Sequence, residues 1–175
     1  MLILGIDPGI AIVGYGLIEY TGNRFRVFDY GSIQTKAGVP TNERLKIVYD
    51  SMTGLIEKYR PDAMAIEELF FNTNSKTAIV VAEARGIILL SGVNAGVDIA
   101  EYTPLQVKQA VTGYGRADKN QVQQMTKALL GLDKIPKPDD TADALAAALC
   151  HAHSGTSAIA DLYNHPTTMR GKIQY

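Results

Sequence analysis

Residues 1–9, Met-Leu-Ile-Leu-Gly-Ile-Asp-Pro-Gly, decide the fold that we predict for this chain. The apolar run from Leu2 to Ile6 shows no alternation of polar and apolar side chains, which is typical of a strand covered on both faces at the centre of a sheet. The run ends on Asp7, and a Pro-Gly turn then reverses the chain. An ionised carboxylate at the end of a buried strand is costly unless it is paired or coordinated. Asp7 is therefore either a residue that bonds its own turn amides or part of a site.

The sequence after this turn predicts an α/β pattern in one domain. Two further strands, over 10–20 and 25–34, extend the first strand into an antiparallel meander. The periodicities that follow predict helices over 42–59, 75–90, 105–111, 119–130 and 139–153, and strands over 63–66 and 97–102. Thr41 is the expected start of the first helix, and Thr103 with Pro104 the start of the third. From residue 154 onward periodicity vanishes, and we expect a flexible tail over 154–175.

Composition narrows the class of protein. With 175 residues, 46% hydrophobic and 20% charged, the chain is expected to be one soluble globular domain. We expect no membrane span and no export signal, and the single Cys150 fits a reducing cytoplasm. The net charge of −1 gives no indication of nucleic acid, but residues 103–137 hold six basic residues and two acids. That segment is either a binding patch or a solvated helical face.

Carboxylates recur where predicted elements begin or end. Asp7 ends the first strand, Glu67 follows the fourth, and Asp140 and Asp143 share one face of the last helix. If the first and fourth strands are neighbours and the helix packs across their ends, four carboxylates converge. Oxygen ligands of this kind select Mg²⁺, with Mn²⁺ as a substitute, and two such ions can assist an in-line phosphoryl displacement. The helix dipole alone would also favour acids at the start of the last helix, but it does not explain Asp7 or Glu67.

With these motifs the chain resembles the RuvC family of bacterial Holliday-junction resolvases, within the RNase H-like superfamily. The resemblance is carried over about residues 1–155 by the stretches 4–9 (Leu-Gly-Ile-Asp-Pro-Gly), 14–16 (Gly-Tyr-Gly), 65–70 (Ala-Ile-Glu-Glu-Leu-Phe), 106–109 (Gln-Val-Lys-Gln), 121–123 (Gln-Val-Gln) and 142–146 (Ala-Asp-Ala-Leu-Ala). It implies an RNase H-like nuclease domain over 1–153. The expected fold is a mixed five-stranded sheet, a three-stranded antiparallel meander plus parallel strands, flanked by helices.

The resemblance also implies an activity and a set of residues. The expected activity is a Mg²⁺-dependent, structure-selective endonuclease that resolves four-way DNA junctions by paired symmetric nicks, in recombination and repair. Four acids match the metal-binding catalytic positions for two ions: Asp7, Glu67, Asp140 and Asp143. Three more residues match DNA contacts: Lys108 and Lys119 near the cleaved strand, and Phe70 as the loop aromatic that stacks among bases. The family also implies a homodimer that works in the cytoplasm with the RuvAB branch-migration complex.

Several alternatives stay open from the sequence. Glu68 stands beside Glu67, and strand alternation sends the two to opposite faces. Asp139 shares a helix face with Asp143. The helix over 75–90 is apolar around most of its circumference, which makes it the candidate dimer interface. Rival functions are an actin-like ATP-binding domain, a non-catalytic junction-binding module, and a nuclease of the same fold acting on RNA–DNA hybrids or transposon ends.

Overall fold

A computed structural model of the chain describes residues 1–68 and 75–154. The loop aromatic Phe70 lies outside the described residues, and so do positions 155–175 of the expected tail. None of the helices in the described ranges combines the length and the apolar character that a bilayer span requires.

Five strands form one mixed sheet in the order β3-β2-β1-β4-β5. An antiparallel meander comprises β1 (Leu2–Asp7), β2 (Ile12–Thr21) and β3 (Arg24–Gln34). The remaining strands, β4 (Ala63–Glu67) and β5 (Asp98–Tyr102), run parallel to β1. Since β1 and β4 are neighbours, their carboxyl ends meet at one edge of the sheet. The predicted mixed five-stranded sheet is confirmed.

Five helices cover the two faces of this sheet. One face packs against α1 (Thr41–Tyr59) and α2 (Ser75–Asn94). The other packs against α5 (Asp139–Ser154), which α3 (Pro104–Thr112) and α4 (Lys119–Leu129) in turn flank. Alternate residues of β1 serve the two cores, because Ile3 packs with α5 and Leu4 packs with α1 and α2. Asp7 continues the side of β1 that faces α5.

Glycines let α5 lie directly on the sheet. A Cβ added to Gly14 would sit 1.9 Å from the carbonyl oxygen of Asp140, and one added to Gly5 would sit 2.0 Å from that of Ala144. The buried face of α5 is correspondingly rich in alanine: Ala142, Ala144, Ala146, Ala147, Ala148 and Ala152. Thr141 adds a hydrogen bond across the interface, since its hydroxyl donates to the carbonyl of Gly31 in β3 at 3.1 Å. The first turn of α5 is thereby fixed at the end of β1.

The differences from the predicted helix boundaries that matter most lie at the start of α1 and at the end of α2, and the other helix ends differ by at most one residue. Pro40 is the residue that precedes α1, and Thr41 is already helical, so the expected side-chain cap from Thr41 is wrong. The α2 helix continues to Asn94, four residues past the predicted end, and the turn that follows it contains Gly96 with φ +69°. The predicted start of α3 is confirmed: Thr103 accepts from the Gln106 backbone amide at 3.2 Å in a capping box.

Candidate functional site

The four predicted acids arrive at one edge of the sheet from three separate elements. Asp7 is the last residue of β1 and pairs with Gly14 in β2. Glu67 is the last residue of β4, one position beyond the pairing of Ile6 with Ile66. Asp140 and Asp143 lie in the first turns of α5, three residues apart and so on one side of the helix. The arrangement expected from the sequence is the one that the structure has.

Electrostatic coupling shows how close these carboxylates lie. Burial and then the negative charges of Asp143, Glu67 and Asp140 raise the pKa of Asp7 to about 8, against an opposing effect of Lys119. Burial and the charge of Asp143 raise the pKa of Glu67 to about 7, while Lys108 and Lys119 oppose the rise. A carboxyl that holds its proton near neutral pH reports an excess of negative charge in a partly dry place. The nearby lysines therefore do not fully neutralise the negative charge of the carboxylates.

Lys119 supplies part of that charge. Its Nζ lies 3.0 Å from Asp143 Oδ2 and 3.6 Å from Asp139 Oδ2. Burial raises the pKa of Asp143, and the hydrogen bond and charge of Lys119 work against that rise. Burial alone would lower the pKa of Lys119, but the hydrogen bond to Asp143 and the surrounding acids raise it overall. Lys119 is thus held as an ammonium at the side of the acid cluster.

Lys108 reaches the same edge from α3. Its charge acts on Glu67 and opposes the rise in the pKa of that carboxyl. The backbone around Lys108 is braced, because the Thr112 hydroxyl donates to the Lys108 carbonyl at 2.8 Å and α3 ends at Gly113 with φ +73°. Both predicted lysines are therefore placed beside the carboxylates.

The two neighbouring acids that the sequence left open lie differently. Glu68 faces the α2 side of the sheet, where its charge acts on the Arg85 guanidinium, and its backbone amide donates to the Tyr102 carbonyl at 2.8 Å. Asp139 has a side chain that is 42% exposed, and its Oδ1 lies 2.5 Å from Lys137 Nζ. Neither residue is among the charges that shift the pKa of Asp7. The charges that act on Asp7 favour Glu67 and Asp140 as members of the cluster, whereas Asp139 acts on Asp143 from its edge.

The donor set fits a hard divalent cation. In residues 1–68 and 75–154, no three His, Cys, Asp or Glu side chains are arranged so that they could hold a metal ion as they stand, and the Lys119 ammonium lies beside the acids. The acids nevertheless offer only carboxylate oxygens, as Mg²⁺ prefers. The raised pKa values of Asp7 and Glu67 show that added positive charge would stabilise their ionised forms. We therefore treat the cluster as a candidate metal site.

Sequence reasoning gave no structural role to Gly14 or to the two histidines near the C-terminal end of α5. The pairing of Gly14 with Asp7 places it under Asp140, so its lack of a side chain sets the depth of the acid-bearing turn. At the other end of α5, His151 Nδ1 lies 2.8 Å from the Tyr102 hydroxyl, and His153 Nδ1 lies 3.0 Å from the Ala110 carbonyl. Gly14 and Gly16, on either side of Tyr15, were the signal that the sequence offered. Only the strand register shows that Gly14 makes room for the first turn of α5.

The raised pKa values predict how the stability of the metal-free protein depends on pH. Ordinary values are 3.8 for Asp7 and 4.5 for Glu67, against about 8 and about 7 in the folded chain. Between pH about 4 and about 8 the folded state thus retains protons that the unfolded state has lost, so the free energy of unfolding falls as the pH rises. Urea denaturation in chelating buffer at pH 5 to 8 should show a fall of several kcal/mol, since a tenfold change in proton affinity is worth about 1.4 kcal/mol.

The matched variant for that measurement is Asp7→Asn, which removes the carboxyl whose pKa is raised most. It should be more stable than the wild type above pH 7, and its free energy of unfolding should fall less steeply with pH. Equal slopes for the two proteins would mean that Asp7 titrates normally and that the cluster is looser than described.

Comparison with known proteins identifies the family of the chain. The sequence model of the family "Crossover junction endodeoxyribonuclease RuvC" matches residues 3–151. The crossover junction endodeoxyribonuclease RuvC of Alkaliphilus oremlandii is 63% identical over 155 residues, which cover 89% of this chain and 94% of that protein. The structure of Thermus thermophilus RuvC in complex with a Holliday junction substrate aligns with a TM-score of 0.84 at 36% identity, over 89% of this chain and 94% of that one.

A more distant structure supports the fold alone. The yeast mitochondrial Holliday junction resolvase aligns with a TM-score of 0.63 at 14% identity, over 86% of this chain and 78% of that one. The expected RNase H-like architecture is thus confirmed. On the sequence match across residues 3–151 and the high identity to curated relatives, the chain belongs to the RuvC family of crossover junction endodeoxyribonucleases.

Proposed function

We propose that this protein is a Mg²⁺-dependent endonuclease that resolves four-way DNA junctions by paired symmetric nicks, in recombination and repair. The observation that carries the proposal is the convergence of Asp7, Glu67, Asp140 and Asp143 at one sheet edge in a chain of this family. A protein that only bound DNA phosphates would gain nothing from clustered negative charge, because phosphates attract cations. The acids therefore favour a catalytic role over a non-catalytic junction-binding module.

The four acids would hold two Mg²⁺ ions, whose chemistry is activation of a water molecule and stabilisation of the leaving oxygen. Asp7 is the acid most coupled to the others, since three carboxylates act on it. The glycine contact beneath Asp140 and the Thr141 hydrogen bond hold α5 against the sheet, so the acids keep their spacing. A fixed constellation of this kind lowers the cost of reaching the transition state.

Lys108 and Lys119 would serve the phosphate of the strand that is cut. Both flank the acids, so either ammonium can neutralise charge that develops on a phosphate placed there. Phe70, outside the described residues, is proposed from the family resemblance alone as the ring that stacks on a base at the junction. Cooperation with the RuvAB complex and a location in the cytoplasm stay predictions from the same resemblance.

A homodimer would match the two-fold symmetry of a four-way junction, which needs two cuts. On α2, three large apolar side chains are exposed: Ile79 at 61%, Leu90 at 47% and Val93 at 64%. Exposed apolar residues grouped on one element mark interaction surfaces. We therefore assign the dimer contact to the exposed side of α2.

Charged substitution tests that assignment. Val93→Glu is expected to convert a dimer into a monomer at micromolar concentration, because a carboxylate would be buried without a partner. Sedimentation velocity gives the mass, and the ratio of paired to single nicks gives the consequence. Leu129→Glu, at a residue on α4 that is 36% exposed, is the matched control and should remain dimeric. A dimeric Val93→Glu protein would move the contact away from α2.

The function itself is tested with a synthetic four-way junction and a linear duplex of the same sequence, each with Mg²⁺ or with chelator. Paired nicks in the junction alone, and only with Mg²⁺, are the expected result. Binding without cutting in Mg²⁺ or Mn²⁺ would favour the non-catalytic module. Cutting of an RNA–DNA hybrid but not of the junction would favour a sister nuclease of the same fold.

A further inference from the structure

Lys119 is the counter-ion of one particular acid in the cluster. Its Nζ approaches Asp143 Oδ2 to 3.0 Å and Asp139 Oδ2 to 3.6 Å. Asp139 has a second cation, because Lys137 Nζ lies 2.5 Å from its Oδ1. Asp143 makes no other ion pair within the ranges 1–68 and 75–154. Removing the Lys119 ammonium would therefore leave Asp143, like the other three acids, without an ion pair in these ranges.

The ion pair between Lys119 and Asp143 is easy to displace. The Lys119 side chain is 57% exposed, so water competes for its ammonium, and a pair of this kind is held weakly. The backbone that carries the side chain is fixed by contrast. Lys119 is the first residue of α4, whose start is held by the Asp118–Gln121 capping box, with the Gln121 amide donating to Asp118 Oδ1 at 2.9 Å. A long side chain on a rigid anchor can change partner without any movement of the fold.

We propose that Lys119 is a displaceable counter-ion, which pairs with Asp143 in the metal-free protein and releases that carboxylate when a divalent cation binds. The proposal rests on the proposed function, because it takes Asp143 as a metal ligand. The ammonium and the cation draw on the same carboxylate, so each weakens the binding of the other. Once released, the Lys119 ammonium can bind a phosphate oxygen of the DNA. Metal binding thereby makes the lysine available for contact with the DNA.

A purely structural ion pair predicts a different outcome. If Lys119 only ties α4 to α5, its removal would loosen the acid-bearing turn, and metal affinity would fall or stay the same. The displacement proposal requires metal affinity to rise while the rate of cutting falls, since the lysine that competed with the metal is also the one that meets the phosphate. The two readouts move in opposite directions only in the second case.

The experiment measures Mn²⁺ binding to the full-length, metal-free protein by calorimetry and by the electron paramagnetic resonance signal of free Mn²⁺. The measurement is repeated with Mg²⁺ as competitor. Lys119→Met is expected to bind Mn²⁺ about two- to fivefold more tightly than the wild type, the factor by which a half-exposed ion pair biases an equilibrium. Lys119→Arg keeps the charge and should bind Mn²⁺ as the wild type does. Lys137→Met removes the nearer of the two cations of Asp139 and leaves the ion pair of Lys119 with Asp143 in place, so both affinity and cutting should stay unchanged.

Unchanged or weaker Mn²⁺ binding by a folded Lys119→Met protein would overturn the displacement proposal. Circular dichroism checks the fold, and Lys119→Gln replaces the methionine variant if that one does not fold. If the wild type binds Mn²⁺ and cuts the junction, and Lys119→Met binds Mn²⁺ with the same affinity, the displacement proposal is wrong. The proposed function would still hold. A wild type that binds neither Mn²⁺ nor Mg²⁺ and does not cut would remove both.

Discussion

Replacing Asp7 by asparagine is expected to abolish cutting of a four-way junction while leaving junction binding intact. Asp7 ends the central strand of the sheet and is the acid on which Asp143, Glu67 and Asp140 all act. Asparagine keeps the shape of the side chain but removes the charge that would hold a divalent cation. The expected loss in cutting rate is about 10²–10³-fold or more, the scale seen when a group that stabilises the transition state is removed. Single-turnover nicking and gel-shift binding measure the two properties separately.

Asp139→Asn is the matched control for this variant. It makes the same chemical change at the start of α5, at a carboxylate that is half-exposed and already paired with Lys137. We expect its cutting rate to stay within about twofold of the wild type, because a surface ion pair contributes little. Loss of junction binding by Asp7→Asn would mean that Asp7 is a structural residue. A large loss of cutting in the Asp139→Asn protein would mean that the acid set is wrongly drawn.

Gly14→Ala is the second change from which we expect a large effect. An added methyl group would lie 1.9 Å from the Asp140 carbonyl oxygen, and because Cβ atoms keep about 3 Å from such an oxygen, the first turn of α5 would move by about 1 Å. Overpacking of this kind costs about 1–3 kcal/mol of stability or more. A misplacement of about 1 Å at a site costs on the order of 10²-fold in rate. Urea denaturation and nicking of the junction should show both losses.

Gly54→Ala separates the effect of space from the effect of the substitution itself. Gly54 lies inside α1, and nothing stands within 4 Å of an added Cβ. Alanine is favoured over glycine in a helix by about 1 kcal/mol, so this variant should be more stable than the wild type and equally active. A Gly14→Ala protein that cuts normally would show that α5 is not held where the glycine contact places it.

Much of this fold is visible in local patterns. The apolar run ending on Asp7 indicated a central strand, and β1 does lie in the middle of the sheet. Strand alternation indicated that only one of the adjacent acids Glu67 and Glu68 can belong to the cluster, and Glu68 indeed acts on Arg85 on the α2 side of the sheet. Both inferences needed only the period of a strand and the position of a turn. The family resemblance then supplied the choice of Glu67 over Glu68 and of Asp140 over Asp139.

The remainder depended on contacts between distant segments. Nothing local in Lys119 shows that it pairs with Asp143, since the two residues come together only when α4 packs beside α5. The role of Gly14 likewise requires the register that sets it opposite Asp7 and beneath Asp140. Thr41 was expected to cap α1 because threonine is a common capping residue. In the structure the capping position is Pro40, which has no side-chain hydrogen bond to the helix. The sequence located the start of each helix and strand to within about two residues, but it placed the end of α2 four residues too early.

The order in which the acids occur along the chain has a consequence for synthesis. Asp7 and Glu67 emerge from the ribosome with the sheet, whereas Asp140 and Asp143 belong to the last described helix. Because the chain is made from the N-terminus onward, a nascent chain that already contains all five strands of the sheet carries only two of the four candidate site acids. Under the proposed function, the nascent chain would lack two of its four candidate metal ligands until α5, the last described helix, has been made.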